Sequence, residues 1–273
     1  MRQIIGIALL RNEDLYVETA LRNTIGFCDR IIVVDNGSLD GTLAIVKRME
    51  AQHSVLQVYQ STDTKVSHDL LKPYVGSDNW ILGIDGDEIY DPKGLAGLRQ
   101  EIMAGGFDQW WTIFGNVVNC FAVDHRAGTA TGYMAPPCRS MTKLYNFNAI
   151  AKWDGKVQQR LHGGVIEFRP GFTATKRLHL YEKYSWDKSP FRCLHMCFVP
   201  RSSQTAANAA PRPNVTEMLR GGVFEKVMRW ITPAFGSRRQ SSWKMQKYRR
   251  GTPVTVDATP FFGVQPDEYL PMQ

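Results

Sequence analysis

The chain has 273 residues, 43% hydrophobic and 22% charged, enough length and apolar content to bury a sizeable core. This balance excludes a mostly disordered chain, a collagen-like chain and a disulfide-stapled miniprotein. The net charge of +7 is uneven: residues 1–150 hold 13 basic and 17 acidic residues, whereas residues 151–273 hold 20 and 9, which suggests a site gathering a metal on one side and an anion on the other.

The elements follow in order. Gln3–Leu9 reads as a buried strand; its apolar run is too short for a secretory signal and ends at once in Arg11, Glu13 and Asp14. Glu13–Ile25 has a helical apolar stripe through Leu15, Val17, Ala20, Leu21 and Ile25. Arg30–Val34 is a second strand. Asp40–Met49 is a helix with Asp40 as a plausible N-cap. Val55–Tyr59 is a third strand, Val66–Tyr74 helical, and Trp80–Ile84 a fourth strand. This alternation implies right-handed crossovers and a parallel α/β sheet.

From Gln109 the pattern changes. Gln109–Val118, Lys143–Phe147, Lys156–Leu161, Val165–Phe168 and Thr173–Leu180 are aromatic and β-branched, with glycines between them. They read as mixed or antiparallel strands completing the sheet and building a second wall. Arg201–Asn214 is rich in Ser, Ala and Pro and reads as a linker. Residues 215–231 carry an amphipathic pattern (Met218, Leu219, Val223, Val227, Ile231) weakened by Gly221-Gly222.

No apolar run reaches the roughly 18 residues a spanning helix needs. The five cysteines are scattered and odd in number, unlike a disulfide framework, so a reducing, cytoplasmic setting is expected. Cys193-Leu194-His195-Met196-Cys197 lacks a second Cys/His cluster at zinc-finger spacing.

In parallel sheets ligands sit beyond the carboxyl ends of the strands, here after Leu9, Val34 and Ile84. All three places are polar: Arg11-Asn12-Glu13, then Asp35-Asn36-Gly37-Ser38-Leu39-Asp40-Gly41-Thr42, then Asp85-Gly86-Asp87-Glu88. Two carboxylates flanking Gly86 just past a buried strand suit a hard divalent ion. Neither G-x-x-x-x-G-K-[ST] nor G-x-G-x-x-G after the first strand is present, which argues against P-loop and nicotinamide-binding chemistry.

The order R-N-E, I-I-V-V-D-N-G-S-L-D-G-T, W-I-L-G-I-D-G-D-E resembles the nucleotide-sugar glycosyltransferases of GT-A fold, family 2 and its close relatives. The resemblance covers residues 3–92 well and 93–200 loosely. It implies a Rossmann-like mixed, largely parallel sheet flanked by helices, a GT-A domain over 1–200, and a small basic linker and extension over 201–273. It further implies that Asp35, with Asn36 and Gly37, meets the nucleobase or ribose while the loop of Arg11, Asn12 and Glu13 closes on the same nucleotide. Asp85 and Gly86 would lie near the ribose, Asp85 and Asp87 would hold Mn2+ or Mg2+, and Lys65 and His68 fall where relatives carry a basic residue facing the nucleotide. A late histidine, His179 or His195, would complete the metal set; Arg201-Ser202-Ser203 follows His195 within reach of a diphosphate. Lys247 and Arg249, in the densest basic cluster, would clamp phosphate or an anionic acceptor.

Relatives place a catalytic carboxylate in a V-H-E-x-L-like segment. Here Lys156-Val157-Gln158-Gln159-Arg160-Leu161 puts Gln159 there, and an amide is no proton acceptor. The base is left among Asp154, Asp124 and Glu167, and a retaining mechanism stays open.

The expectation is thus a metal-dependent glycosyltransferase using a nucleotide-sugar donor, a UDP-sugar by preference. Its acceptor would be a polysaccharide, a lipopolysaccharide or other lipid-linked precursor, or a protein. The alternatives are a hydroxymethylated nucleic acid acceptor, suggested by the basic, aromatic second half, a sugar nucleotidyltransferase, and a non-catalytic sugar-nucleotide module with peripheral membrane contact through residues 215–231.

Overall fold

The computed structural model describes residues 1–140, 144–154, 161, 163–204 and 246–263. Its first half alternates as the sequence implies: β1 (Gln3–Leu10), α1 (Val17–Ile25), β2 (Arg30–Asp35), α2 (Thr42–Gln52), β3 (Leu56–Gln60), α3 (Val66–Asp69) and β4 (Asn79–Ile84). A three-residue strand β5 (Glu88–Tyr90) and the helix α4 (Pro92–Met103) come next. They are followed by β6 (Thr112–Phe114), β7 (Asn116–Asp124), β8 (Thr129–Ala135), β9 (Leu144–Asn146), β10 (Ile150–Trp153), β11 (Ile166–Phe168), β12 (Arg177–His179) and β13 (Arg192–His195). β14 (Pro253–Asp257) and the one-turn α5 (Thr259–Phe262) close the described chain.

The main sheet has seven strands in the order β12-β6-β9-β4-β1-β2-β3. β1 pairs in parallel with β2 and β4, β2 with β3, and β6 with β12, while β9 runs against both β4 and β6. This is the mixed, largely parallel α/β architecture implied by the sequence.

Side-chain alternation along β1 explains why both faces are covered. Ile4, Ala8 and Leu10 pack with Val17 and Leu21 of α1, Val46 and Met49 of α2, and Leu95, Leu98 and Ile102 of α4. Ile5 and Ile7 face the other way, onto Leu71, Trp111, Tyr145, Phe147 and Trp153. Gly6 is required by contact: a Cβ there would lie 2.9 Å from Ile84 and 3.1 Å from Ile31 side-chain carbons.

The second wall is a five-stranded sheet, β14-β8-β7-β13-β5. β5 joins the two sheets, because the chain leaves β4, turns through Asp85–Asp87 and pairs antiparallel with β13. Thus the acidic turn stands where one sheet hands over to the other. Gln109–Val118, read as one strand, splits into β6 and β7, and at Gly115 the backbone passes tightly against Phe191: an added Cβ would be 2.1 Å from its carbonyl oxygen.

The helix expected from Glu13 begins at Val17, because residues 11–14 are held in a loop by bonds to the 38–42 segment. The extension read over 201–273 carries a paired strand: β14 pairs with β8 along Pro253–Asp257, and Asn23 of α1 donates to the Phe261 carbonyl at 2.7 Å. The expected strand at Lys156–Leu161, except Leu161, the residue Gln159, and the helix over 215–231 lie outside the described residues. All five cysteines are buried, and among the described residues no disulfide joins them.

Candidate functional site

Three loops converge at the carboxyl ends of β1, β2 and β4. Asn12 takes a left-handed backbone (φ 54°), which asparagine tolerates better than most residues. Its amide donates to Ser38 Oγ at 3.1 Å, and its Oδ1 accepts from the Leu39 amide at 2.8 Å. Glu13 N donates to Thr42 Oγ1 at 2.8 Å. The first two loops are therefore one hydrogen-bonded unit. Arg11 is exposed and Glu13 buried.

Asp35 ends β2 and is only 2% exposed. Its Oδ2 accepts from the Ser38 amide at 3.1 Å, while its Oδ1 is buried with no hydrogen-bond partner among the described residues. Such an acceptor is costly unless a ligand donor reaches it. Asn36, also buried, donates to the Ser61 carbonyl at 2.9 Å, and Gly37 takes φ +67° beside it. Lys65 by contrast is exposed beyond β3, and His68 is buried edge-on against Trp153, ring centroids 4.9 Å apart.

The third loop carries the strongest electrostatics. Asp87 is 2% exposed, and its Oδ2 accepts from Arg201 Nη1 at 2.6 Å. The same Nη1 lies 3.6 Å from Glu13 Oε1. Asp87 first, with Glu13 and Asp85 adding, raises the Arg201 pKa further against the opposing effect of burial, so its charge is permanent. Gly86 lets Glu13 reach this point: a Cβ at Gly86 would sit 2.6 Å from Glu13 Oε2 and 3.1 Å from Leu10 Cδ2.

β13 brings His195 to the same place. Its register partners are Glu88 on β5 and Asn119 on β7, and Met196 N donates to the Asp87 carbonyl at 2.8 Å. His195 Nε2 faces Asp87 Oδ2 at 3.7 Å, and its Nδ1 meets Asn119 Oδ1 at 2.9 Å. Asn119 Nδ2 donates to the Tyr133 carbonyl at 3.3 Å, which turns Oδ1 toward the imidazole and puts the proton on Nδ1. Nε2 faces a carboxylate oxygen, a pairing that positive charge stabilises, whether a proton on Nε2 or a metal cation between the two. The carboxylate oxygen suits Mn2+ or Mg2+, which accept few protein ligands when substrate oxygens complete the shell, and the imidazole nitrogen favours Mn2+ of the two; an outer hydrogen bond fixing the histidine is the usual support. Asp87 and His195 thus fit a divalent ion.

The fit is narrower than the sequence implies. Among the described residues no three His, Cys, Asp or Glu side chains form a metal-ready cluster. Asp85 is partly exposed just past β4 and acts electrostatically on the same Arg201 guanidinium. His179 lies at the end of β12, three strand spacings from β4 in the sheet, roughly 14 Å; it bonds Tyr181 and faces Glu182 at 3.6 Å.

The base candidates have local partners. Asp124 accepts from the Arg126 and Ala127 amides in the β7–β8 turn, five residues beyond Asn119, or about 16 Å along the strand. Glu167 is exposed on β11 and pairs with Lys152 at 3.2 Å. Asp154 accepts from the Val165 amide at 2.9 Å. An Asp capping its own turn is ordinary turn chemistry, and it accounts for Asp124.

The basic cluster reaches the site at one residue. Tyr248 is buried with its ring edge-on to His195, centroids 5.7 Å apart. Arg249 lies over Tyr133 and Phe121, and Lys247 is partly buried beside Tyr248. Tyr248 is legible in sequence as an aromatic of the basic second half; Asn119 and Tyr16, whose pKa burial raises, with Cys120 and Asp87 adding, are not. Neutral residues joined by long-range pairing leave no local pattern.

Gly86→Ala is expected to push the Glu13 carboxylate aside. Mn2+ and nucleotide affinity should fall several-fold while stability drops by about 1 kcal/mol, as read by ligand titration beside thermal melts.

No protein-family model matches the chain, and no curated protein matches it. Similar solved structures include S. aureus TarS, at 20% identity and TM-score 0.38 over 53% of this chain and 28% of that one. TarS residues 1–349 give 19% and 0.35, over 53% and 47%. The mannosyltransferase PcManGT from Pyrobaculum calidifontis, in complex with GDP-Man and Mn2+, gives 21% and 0.31, over 45% and 36%. The chain matches less than half the length of each.

Proposed function

We propose that this chain is a metal-dependent GT-A-type glycosyltransferase that moves a sugar from a nucleotide-sugar donor, a UDP-sugar, to the hydroxyl of a glycan, lipid-linked or protein acceptor. The observation that carries this reading is the gathering of Glu13, Asp35 and Asp87 at the ends of three adjacent parallel strands, with Arg201 and His195 on Asp87. Asp35 offers a buried acceptor to a base or ribose donor group. Asp87 and His195 would hold the ion, and Arg201 would supply a permanent positive charge near it. The chemistry a divalent cation supplies there is neutralisation of the charge that grows on the departing diphosphate. Asp35 and Asn36, with the Arg11–Glu13 loop, would orient the nucleotide, and Lys247 and Arg249 would meet an anionic group on the Tyr248 side.

Nucleoside diphosphates and their sugar conjugates should raise Tm in the presence of Mn2+ and far less in chelator, because ligand binding to the native state stabilises by mass action. A UDP- or GDP-sugar that stabilises should also release its nucleoside diphosphate in a coupled assay. A full panel without Mn2+-dependent stabilisation or release would sink this reading.

A further inference from the structure

The cation position at Asp87 is already filled from within the chain. Arg201 Nη1 lies 2.6 Å from Asp87 Oδ2, the same oxygen that faces His195 Nε2 at 3.7 Å. A carboxylate oxygen in close contact with a guanidinium is a poor first ligand for a divalent ion, since two cations about 4 Å apart repel strongly in a part-buried site. Arg201 and a metal therefore bid for one atom.

The backbone around Arg201 is tethered to both nucleotide-side loops. Its carbonyl accepts from Leu15 N at 3.1 Å. Ser202 Oγ donates to Asp40 Oδ2 at 2.6 Å, and Ser203 N donates to Asp14 Oδ1 at 2.8 Å. Gln204 Nε2 donates to the Leu39 carbonyl at 2.5 Å. Burial pushes the Asp40 carboxyl up, but bonds from Ser202 and Thr42 outweigh that and hold it below the usual carboxylate range. The tether is thus intact at neutral pH. With the main chain pinned, only rotation of the long Arg201 side chain can vacate Asp87. Glu13, 3.6 Å from the same Nη1, is a second acceptor that keeps the guanidinium nearby.

We infer that Arg201 is the resident counter-cation of Asp87 and exchanges places with the divalent ion, so that metal loading turns the guanidinium away from Asp87 by side-chain rotation alone. This rests on the reading that Asp87 and His195 bind a divalent ion. In the metal-free protein the buried carboxylate is neutralised, which keeps the site folded without ligand. In the loaded protein a second positive charge stands beside the ion, where an anionic donor arrives.

The test is Mn2+ binding to the full chain without nucleotide, read from the free-ion paramagnetic resonance signal. Arg201→Gln should bind Mn2+ about tenfold or more tightly than the native chain, because a repelling charge is gone. Arg201→Lys, which keeps the charge, should stay near native affinity. Lys176→Gln, an exposed charge removed elsewhere, should change nothing. If Arg201→Gln does not fold, the native chain still reports: its Arg201 Nε–H resonance, assigned through Arg201→Lys, should move on Mg2+ titration.

Equal or weaker Mn2+ binding by Arg201→Gln, or an Arg201 resonance unmoved while Mg2+ binds, overturns the exchange and leaves the metal reading standing. Absence of Mn2+ binding in native and variant chains alike overturns the metal reading and the exchange together.

Discussion

Asp87→Asn should lower kcat/KM for the nucleotide-sugar donor at least about 100-fold, the scale seen when one preorganised electrostatic contact is removed from a reacting centre. The change keeps shape and removes charge. Asp87 is 2% exposed and accepts from Arg201 at 2.6 Å. An amide offers a metal a weaker oxygen and cannot balance the guanidinium. The variant should therefore also lose Mn2+ affinity, whereas Asp124→Asn, in the distant β7–β8 turn, should keep both. Steady-state kinetics with the best donor from the binding screen decides the matter. A rate within about threefold of native at saturating Mn2+ would remove Asp87 from the chemistry, since so small a factor is under 1 kcal/mol.

Gly115→Ala is the change expected to cost most stability, about 3 kcal/mol or more, the upper range for overpacking. The obstacle is main chain: the new methyl would stand 2.1 Å from the Phe191 carbonyl oxygen and 3.0 Å from its carbon. That carbonyl accepts the Asn116 amide at 2.9 Å, the bond that opens the β7–β13 ladder. Moving Phe191 aside shifts β13, and with it His195. Urea unfolding should show a lower midpoint at unchanged slope. The surviving folded fraction should bind Mn2+ more weakly, because β13 carries His195 to the Asp87 turn. A midpoint equal to that of the native chain would mean the two strands separate without penalty.

The first ninety residues were legible because each signal was local. β1, β2 and β4 are strands of eight, six and six residues built on apolar runs, and the polar segments that follow them are contiguous in sequence. Asp35 and Asp87 follow from strand position alone. The second wall was not legible in the same way. β5 has three residues and begins at the charged Glu88, too short to show a period. Yet that strand sets His195 beside Asp87, through pairing 107 positions away in sequence, His195 with Glu88. Asn119 reaches His195 across 76 positions. α4 carries a local signature of its own: the Asp91 side chain accepts from Lys93 N at 3.0 Å, Pro92 follows, and Leu95, Leu98 and Ile102 form the stripe. The histidines show the limit of composition. His179 and His195 both follow apolar residues, and only strand order separates the one at the sheet edge from the one at the acidic turn.

The cysteines described above have a practical use. Cys28 is packed under α1, and Cys120 and Cys193 lie within the second sheet. Burial pushes the Cys28 thiol far up, and the Cys120 thiol up to about 12. Alkylating reagents attack the thiolate and need access to it. Each sulfur is therefore a silent tag that becomes reactive only when its own neighbourhood opens. Timed labelling read by peptide mass would report, region by region and without any engineered probe, which sheet breathes first and whether a nucleotide slows it.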